Sequence, residues 1–357
     1  LFSSIRRHTR SGPQSRGLGD VYKRQGATAD IPGVLNTLPG TQTVGETGRL
    51  FVRGGDDSET KNYIDGVMVS QPYGMTPNNI PSRMRFSPFL FSGTTFSTGG
   101  YSAEYGQALS GTLNLKTDNE ALQTQTDLSF MTVGGGVSHT QKWERNSIFF
   151  ETFYMNLTPY FWLVPQKTEW VEAPSSWQNT IMYRQKVGEE GNLKVFYTGE
   201  LSMMDLDQPS YLDITEEVSV DMSNNYQYLN VNYKGILSKY WMVDAGISNT
   251  WSKEIMNMEY FSSQNRIHNQ HLKVTTIFDK GKWANLKIGT DVFHYNFEQK
   301  MYTSPEEIEQ KRDMNELIPA IYLESNIYFS NKFIGVIGGR FEYASLAEKS
   351  ILSPRVS

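Results

Sequence analysis

Few residues in this sequence have the types and spacing that catalysis or metal binding requires. His268 and His271 lie three positions apart in a stretch with strand character, so their side chains point to opposite faces and cannot share a metal ion. Asp205 and Asp207 could face one ion, but an acidic loop is the commoner meaning of such a pair. The acidic residues at 56, 57 and 59 have no further element beside them that would define a calcium loop. We therefore predict no catalytic site, no cofactor and no metal site.

Aromatic side chains crowd one predicted long connection, residues 158–176. Tyr160, Phe161, Trp162 and Trp170 lie in it, and Trp177 follows it. These rings can stack on an apolar or aromatic ligand, or they can anchor the chain at a lipid boundary. We favour the anchor interpretation for Trp177, which is expected to begin a strand, and leave both interpretations open for the other four.

Composition excludes several classes of protein. The net charge of −5 gives no reason to expect nucleic-acid binding, and the absence of cysteine excludes a disulfide scaffold or a thiolate metal site. Aromatic residues reach 13%, yet mean hydropathy is −0.48. No run of about 18 apolar residues occurs, so we predict no membrane helix. A membrane β-barrel remains open, because its polar lumen face offsets its apolar lipid face in any average.

Residues 119–357 show the period-two alternation of long strands. Apolar and polar side chains alternate through residues 193–203 with Phe196 as the only exception, and similar runs recur to residue 343. One face is therefore expected to be apolar and the other wet. The apolar set expected to face lipid is Val195, Tyr197, Leu201, Val231, Tyr233, Val243, Ile247 and Ile337. The polar set expected to face the lumen is Lys194, Glu200, Asn230, Lys234, Asp244 and Glu342.

A soluble β-sandwich would also alternate, but two features favour a membrane barrel. Aromatic residues such as Trp241 and Trp251 lie at the two ends of apolar strand faces, as at two membrane interfaces. Short predicted turns also alternate with long predicted connections at 158–176, 205–224, 256–265, 301–316 and 346–352. About eleven strands are predicted, with residues 353–357 beginning a twelfth.

Residues 26–118 have a different, glycine-punctuated character. Short apolar runs flank tight turns at Gly54–Gly55 and at Asp65–Gly66, and the Asp-Gly pair suits a position that needs positive φ angles. A helix-like start near residue 29 is expected to break at Pro32. These patterns predict a small α/β domain. Residues 1–25 are basic and aperiodic without the apolar core of a signal peptide, and we interpret them as a non-native or disordered segment.

The order of motifs in residues 26–118 resembles the plug domain of TonB-dependent outer-membrane receptors. The matching stretches are PGV at 32–34, RGG at 53–55, IDGV at 64–67 and YSAEYGQALSGTLNLKT at 101–117. The plug residues singled out by this resemblance are Arg53, Gly54, Gly55, Asp65, Gly66, Glu104, Tyr105, Gly106 and Gly111. The resemblance implies a plug at 26–118 and the N-terminal half of a transmembrane barrel at 119–357, about 11 of about 22 strands. No TonB box is recognisable ahead of Gly26.

The resemblance also implies a function. It predicts a receptor and transporter in the outer membrane of a Gram-negative bacterium, driven by the TonB complex, that takes up a scarce small molecule. An iron–siderophore complex is the favoured ligand; glycan, cobalamin or haem uptake, and a passive porin or adhesin barrel, are the alternatives. Enzymatic activity and a nucleic-acid partner are not expected. Arg53 and Arg49 are expected to pair with lumen carboxylates such as Glu200 or Glu342, so that Arg53 helps to hold the plug. The alternative is that Arg53 packs only against its own domain.

Overall fold

The conformation of the chain comes from a computed structural model. It describes residues 16–17, 30–44, 48–76, 82–166, 168–209, 217–280, 284–303, 308–330 and 333–357. The interpretation of residues 1–25 lies outside these residues except at Arg16–Gly17. Those two residues form strand β1, which pairs with Thr95 and Phe96.

The N-terminal part of the described chain, which we call the plug, is built around a five-stranded mixed sheet. Its strands follow the order β1-β6-β7-β4-β5. Their bounds are Thr60–Ile64 (β4), Val67–Val69 (β5), Phe91–Ser97 (β6) and Gly111–Thr117 (β7). β4 and β7 run parallel, whereas β4–β5 and β6–β7 are antiparallel. Helix α1 (Ile31–Leu35), a ribbon of β2 (Thr41–Gln42) with β3 (Phe51–Val52), and two 3-10 turns complete it.

The start of the plug differs from the prediction at Pro32. The helix does not break there, because Pro32 occupies the first turn of α1, where its missing N–H has no intrahelical partner to lose. The Asp30 carboxylate caps the helix by accepting a hydrogen bond from Gly33 N at 3.2 Å. Ile31 and Leu35 point into the plug core.

Backbone angles confirm positive φ at Asp65–Gly66, whereas at the predicted Gly54–Gly55 turn the positive φ angles lie one residue earlier. Asp65 and Gly66, between β4 and β5, have φ angles of 49° and 92°. Arg53 and Gly54 have φ angles of 53° and 79°. A two-residue hairpin with positive φ at both positions matches strand twist, which explains the Asp-Gly pair.

Residues 125–356 form one twelve-stranded antiparallel sheet, which we call the wall. Each strand pairs with the next along the chain, from β8 at one edge to β19 at the other. The bounds are Gln125–Met131 (β8), Gly134–Lys142 (β9), Asn146–Asn156 (β10), Glu169–Val187 (β11), Gly191–Pro209 (β12), Glu217–Ser238 (β13), Trp241–Met258 (β14), Phe261–Asp279 (β15), Ala284–Thr303 (β16), Ile308–Ser330 (β17), Phe333–Ala344 (β18) and Lys349–Val356 (β19). Within the described residues β8 and β19 do not pair, so the sheet is an open, partial barrel. The predicted fold class is confirmed.

The wall has two different ends. Helix α2 (Thr158–Leu163) lies between β10 and β11 and marks what we call the loop end, and the β11–β12 turn marks the turn end. Most predicted long connections are wrong, because the strands continue through them: β14 and β15 are joined at the loop end by only Glu259 and Tyr260. Trp177 likewise lies in the middle of β11 and pairs with Tyr154. Outside the apolar part of the wall, strand residues can also contact water, so a polar composition there does not distinguish a loop from a strand.

The two predicted faces of the wall strands are confirmed by contacts and exposure. Leu201, Ile247 and Ile337 are 46%, 46% and 53% exposed on the outward face. The lumen-facing set surrounds the plug. Phe196 breaks the alternation because it is 2% exposed and packs on Phe86 of the plug, with ring centroids 6.2 Å apart.

Candidate functional site: the plug–wall interface and the plug cavity

The plug sheet and the wall sheet are joined by side chains, because the two sheets are separate hydrogen-bonded ladders. Met68 N on the edge strand β5 donates to His271 Nδ1 at 2.9 Å, and Ser248 Oγ donates to Met68 O at 2.7 Å. Asn230 Nδ2 donates to Ile64 O at 2.8 Å. A buried sheet edge must have its polar groups satisfied, and here wall side chains satisfy them.

Asp65 connects the β4–β5 turn to the wall. Its carboxylate accepts hydrogen bonds from Thr117 N at 3.2 Å and Thr117 Oγ1 at 2.5 Å, and it pairs with Lys194 Nζ at 3.2 Å. Lys194 also donates to Thr117 O at 2.8 Å. The Asp65 and Lys194 side chains are only 4% and 9% exposed. The two side chains form a buried ion pair, so removal of either one would leave the charge of the other buried without a counter-charge.

Glu104 is the plug carboxylate with the most cationic surroundings. Lys287 and Lys273 of the wall approach it to 3.2 Å and 3.6 Å. Burial acts to raise the pKa of Glu104, but the two lysines outweigh it and hold that pKa well below its ordinary value. Glu104 is therefore charged at neutral pH.

The neighbouring wall carboxylate, Glu324, binds plug backbone. Its Oε2 accepts from Ala103 N at 2.7 Å, and its Oε1 accepts from Ser102 Oγ at 2.8 Å. Arg355 of β19 donates to three plug carbonyl oxygens, those of Tyr101, Ser102 and Tyr105, at 2.7–3.0 Å. The plug segment that begins at Tyr101 is thus held by both an anion and a cation of the wall.

A fully buried arginine lies in the wall next to that segment. Arg340 Nη1 pairs with Asp291 and Arg340 Nε with Glu342, both at 2.6 Å. His271 Nε2 lies 3.4 Å from Asp291. Because Nδ1 of His271 accepts from a plug amide, the proton of the neutral ring lies on Nε2 and faces Asp291. A Cβ added at Gly106 of the plug would collide with Arg340 and Glu342, so glycine permits this close contact.

Arg85 of the plug forms a further ion pair with the wall. Its Nη1 lies 2.5 Å from Glu200 Oε2, and its Nη2 donates to Asn224 Oδ1 at 3.0 Å. Its guanidinium also lies 4.4 Å from the centroid of the Tyr226 ring. Lys194, Glu200, Asn230 and the other predicted lumen residues thus include the wall's anchors for the plug.

The plug residues singled out by sequence fall into two groups. Asp65, Gly66, Glu104, Tyr105 and Gly106 contact the wall: Gly66 O accepts from Lys273 at 3.3 Å, and Tyr105 lies beneath the same lysine.

The remaining plug residues lie elsewhere. Gly111 begins β7 inside the plug, where an added Cβ would crowd Ser97 O. Gly55 lies against Ser110 and Glu59, also within the plug. Arg53 is exposed, and its guanidinium lies beside Gly99. Their functional role remains a prediction.

The predicted pairing of Arg53 and Arg49 with Glu200 or Glu342 is wrong. Glu200 pairs with Arg85, and Glu342 pairs with Arg340. Arg49 pairs within the plug with Asp57 at 3.0 Å. Among the described residues Arg53 has no ion pair, and its guanidinium lies beside Gly99 of the plug.

A cavity of about 340 Å³, which we call the plug cavity, opens between the plug and the wall. Its lining is polar and carries both signs of charge, with Arg49, Lys61, Arg85, Asp57 and Glu254. Tyr73, Met75 and Tyr295 add apolar surface. Such a cavity suits a polar ligand with some aromatic or apolar surface.

The aromatic residues predicted as possible ligand contacts do not line the plug cavity. Tyr160, Phe161 and Trp162 lie on α2, and Trp162 is 82% exposed. Phe161 stacks on Trp170 with centroids 5.6 Å apart, and Trp170 packs on a buried cluster at the loop end. Trp177 donates from Nε1 to Thr152 Oγ1 at 2.8 Å on the outward face. The ligand and anchor interpretations of the first four therefore remain predictions.

Neither a membrane-spanning helix nor a metal-binding cluster occurs in the described part of the chain. Within the ranges given above, no helix is long and apolar enough to cross a membrane. In the same ranges no three His, Asp or Glu side chains are grouped so that they could hold a metal ion. His268 stacks on Trp251 while His271 faces the plug, which confirms that the two histidines lie on opposite faces.

Several interface residues were not found from the sequence, namely Arg85, His271, Lys273, Lys287, Asp291, Glu324, Arg340 and Arg355. All but Arg85 lie on wall strands, and each lies at the inward parity of its strand. Charged residues at inward positions were therefore the available signal. Arg85 had no such signal, since it lies in an irregular plug segment.

Comparisons with known proteins agree with this architecture. Residues 13–112 match the family model of the TonB-dependent receptor plug domain. Comparison with curated proteins gave no match. The alcaligin outer-membrane receptor FauA of Bordetella pertussis superimposes with a TM-score of 0.69 at 12% identity, over 97% of this chain and 60% of that one.

Two further solved structures are similar. The ferric enterobactin receptor PfeA of Pseudomonas aeruginosa has a TM-score of 0.66 at 13% identity over 98% of this chain and 60% of its own. The copper transporter OprC has a TM-score of 0.70 at 12% identity over 97% of this chain and 59% of its own. This chain thus spans about 60% of the length of these structures. The chain therefore contains a region that matches the plug-domain family model, followed by a twelve-stranded sheet that shares the fold of part of these structures.

Proposed function

We propose that this protein takes up a scarce small molecule across the outer membrane of a Gram-negative bacterium, energised by TonB, with an iron–siderophore complex as the favoured ligand. The observation that carries the proposal is the way in which the plug is held. Separate hydrogen-bonded sheets, joined by side-chain contacts, form an obstruction that force can remove without breaking either sheet. The loop end would face the exterior and the turn end the periplasm.

The plug cavity supports a transport role. It lies between plug and wall, and Arg85 lines it while also pairing with Glu200 of the wall. A ligand bound there would contact a residue that holds the plug, which couples occupancy to plug stability. The similarity to the alcaligin receptor FauA and to the ferric enterobactin receptor PfeA favours an iron complex over glycan, cobalamin or haem.

A reversible tether between plug and wall tests the proposal. Cβ of Ala103 in the plug lies 3.3 Å from where a Cβ would stand at Gly338 of β18. Cysteines at such a separation can form a disulfide, and these 357 residues contain no cysteine of their own. The double variant Ala103→Cys/Gly338→Cys is produced from the full-length gene in cells, with each single variant as a matched control.

The probes are radio-iron complexes of one catecholate and one hydroxamate siderophore. We expect the oxidised double variant to bind the transported complex but not to import it, and reduction to restore import. Import by the single variants should stop when the proton gradient is collapsed. Import through the oxidised tether would contradict a moving plug, and import without the gradient would indicate a passive pore.

A further inference from the structure

A row of methionine side chains crosses the wall near its loop end and faces the plug. Met204 on β12 lies directly opposite Met222 on β13, and Met222 lies directly opposite Met256 on β14. Met204 and Met222 are 6% and 1% exposed, and Met256 is partly buried in the same cluster. Met75 of the plug packs into this cluster as well. Four thioethers therefore meet where plug and wall touch.

The spacing allows these sulfur atoms to approach one ion. Directly opposite side chains on neighbouring antiparallel strands have Cβ atoms about 4.5–5.5 Å apart. Methionine has three rotatable side-chain bonds, so its sulfur atom can turn towards a shared centre without movement of the backbone. Met258, two residues along β14, packs on the same cluster and adds a further sulfur atom.

Apolar packing alone does not account for this row. The next row towards the loop end, Leu206, Val220 and Met258, fills the same depth of the interface with sulfur at only one of its three positions. Sulfur at three successive cross-strand positions is the feature that needs a separate explanation. Thioethers are soft ligands that select Cu(I) among biological metals.

The surroundings suit a monovalent cation. Trp170 packs against the cluster, and the face of an indole ring attracts cations. Glu254, two residues from Met256 on the same strand face, lines the plug cavity and supplies negative charge. Met75 lines that cavity too, so the cluster is reached through it.

We propose that Met75, Met204, Met222 and Met256 form a binding site for a soft monovalent metal ion, Cu(I), with Ag(I) as its redox-stable equivalent. This site lies beside the proposed ligand cavity. Because binding is measured on purified protein without an energy source, the result does not depend on whether the protein is a TonB-driven transporter.

The test is a Cu(I) titration of the full-length protein, folded in detergent, against a colorimetric Cu(I) chelator under anaerobic reducing conditions. We expect wild type to withdraw one Cu(I) from the chelator. Met222→Leu should weaken binding by about tenfold or more, since even supporting groups around a metal alter affinity by about 10–100-fold. Leucine has a similar volume, so unchanged thermal unfolding of the metal-free variant shows that it folds.

Met203→Leu is the matched control. Met203 is the chain neighbour of Met204 but lies on the outward face, 50% exposed, so its replacement should leave affinity unchanged. X-ray absorption should show a ligand shell dominated by sulfur. No withdrawal of Cu(I) by wild type, equal loss in both variants, or a shell of nitrogen and oxygen alone would each overturn the proposal.

Discussion

The buried pair of Asp65 and Lys194 should contribute strongly to holding the plug in the wall. Asp65→Asn keeps the shape of the side chain and its acceptor for Thr117, but it leaves the Lys194 ammonium, 9% exposed, without a counter-charge. Removing one partner of a buried ion pair costs about 3–5 kcal/mol. We therefore expect the free energy of plug opening to fall by about 3 kcal/mol.

Amide hydrogen exchange, read by mass spectrometry, measures that free energy. The relevant peptides cover β4, β5 and β7, whose amides are protected while the plug stays in the wall. A loss of about 3 kcal/mol corresponds to exchange on the order of 100-fold faster, at 1.4 kcal/mol for each factor of ten. Exchange in β16 and β17, wall strands that carry no partner of Asp65, should change far less.

Two further variants separate the ion pair from general damage. Lys194→Met combined with Asp65→Asn should be less harmful than the sum of the single variants, because no uncompensated charge remains. Asp244→Asn is the matched control: its pair with Lys234 is 27% and 47% exposed, so we expect under about 1 kcal/mol. Unchanged exchange in Asp65→Asn, or strictly additive effects in the double variant, would refute the reasoning.

The other predictions concern the neighbouring plug segment. The folded-state pKa of Glu104 lies below its ordinary value of 4.5, so its stabilising effect is present above about pH 4.5 and is lost as pH falls further. Glu104→Gln should therefore lower the melting temperature most at about pH 7 and progressively less as the pH falls below about 4.5, and a decrease that does not vary with pH would contradict this. Gly106→Ala should destabilise the plug by about 1–3 kcal/mol, because its methyl group collides with Arg340 and Glu342. Gly339→Ala, in open space on β18, is the control, and thermal unfolding that does not distinguish the two would show that the contact is not tight.

The sequence alone predicted the elements that depend on local rules. The two-residue alternation of polar and apolar side chains predicted that Leu201 faces outward and Lys194 inward. A strand alternates its side chains whatever it packs against. The turn at Asp65–Gly66 followed from the φ angles that a two-residue hairpin needs. Phe196 was recognised as an exception, although its partner was not.

The prediction of loop lengths was wrong because it used local composition alone. Residues at the loop end of β14 and β15 continue to pair, Asn257 with Ser262, although residues 257–265 are mostly polar. Local composition reports whether a surface is wet, and a wet strand and a loop have the same composition. Only the register of the neighbouring strand distinguishes them.

The plug–wall contacts were decided by the tertiary structure. Nothing near Arg85 in the sequence indicates Glu200, 115 residues later, and the expected partners of Arg53 proved to be occupied. The methionine row is equally invisible along the chain, since Met204, Met222 and Met256 become neighbours only through strand register. Ion pairs and soft-ligand clusters depend on distances of a few ångströms between distant segments. The chain alone determines which face a side chain occupies, and the fold determines what it meets there.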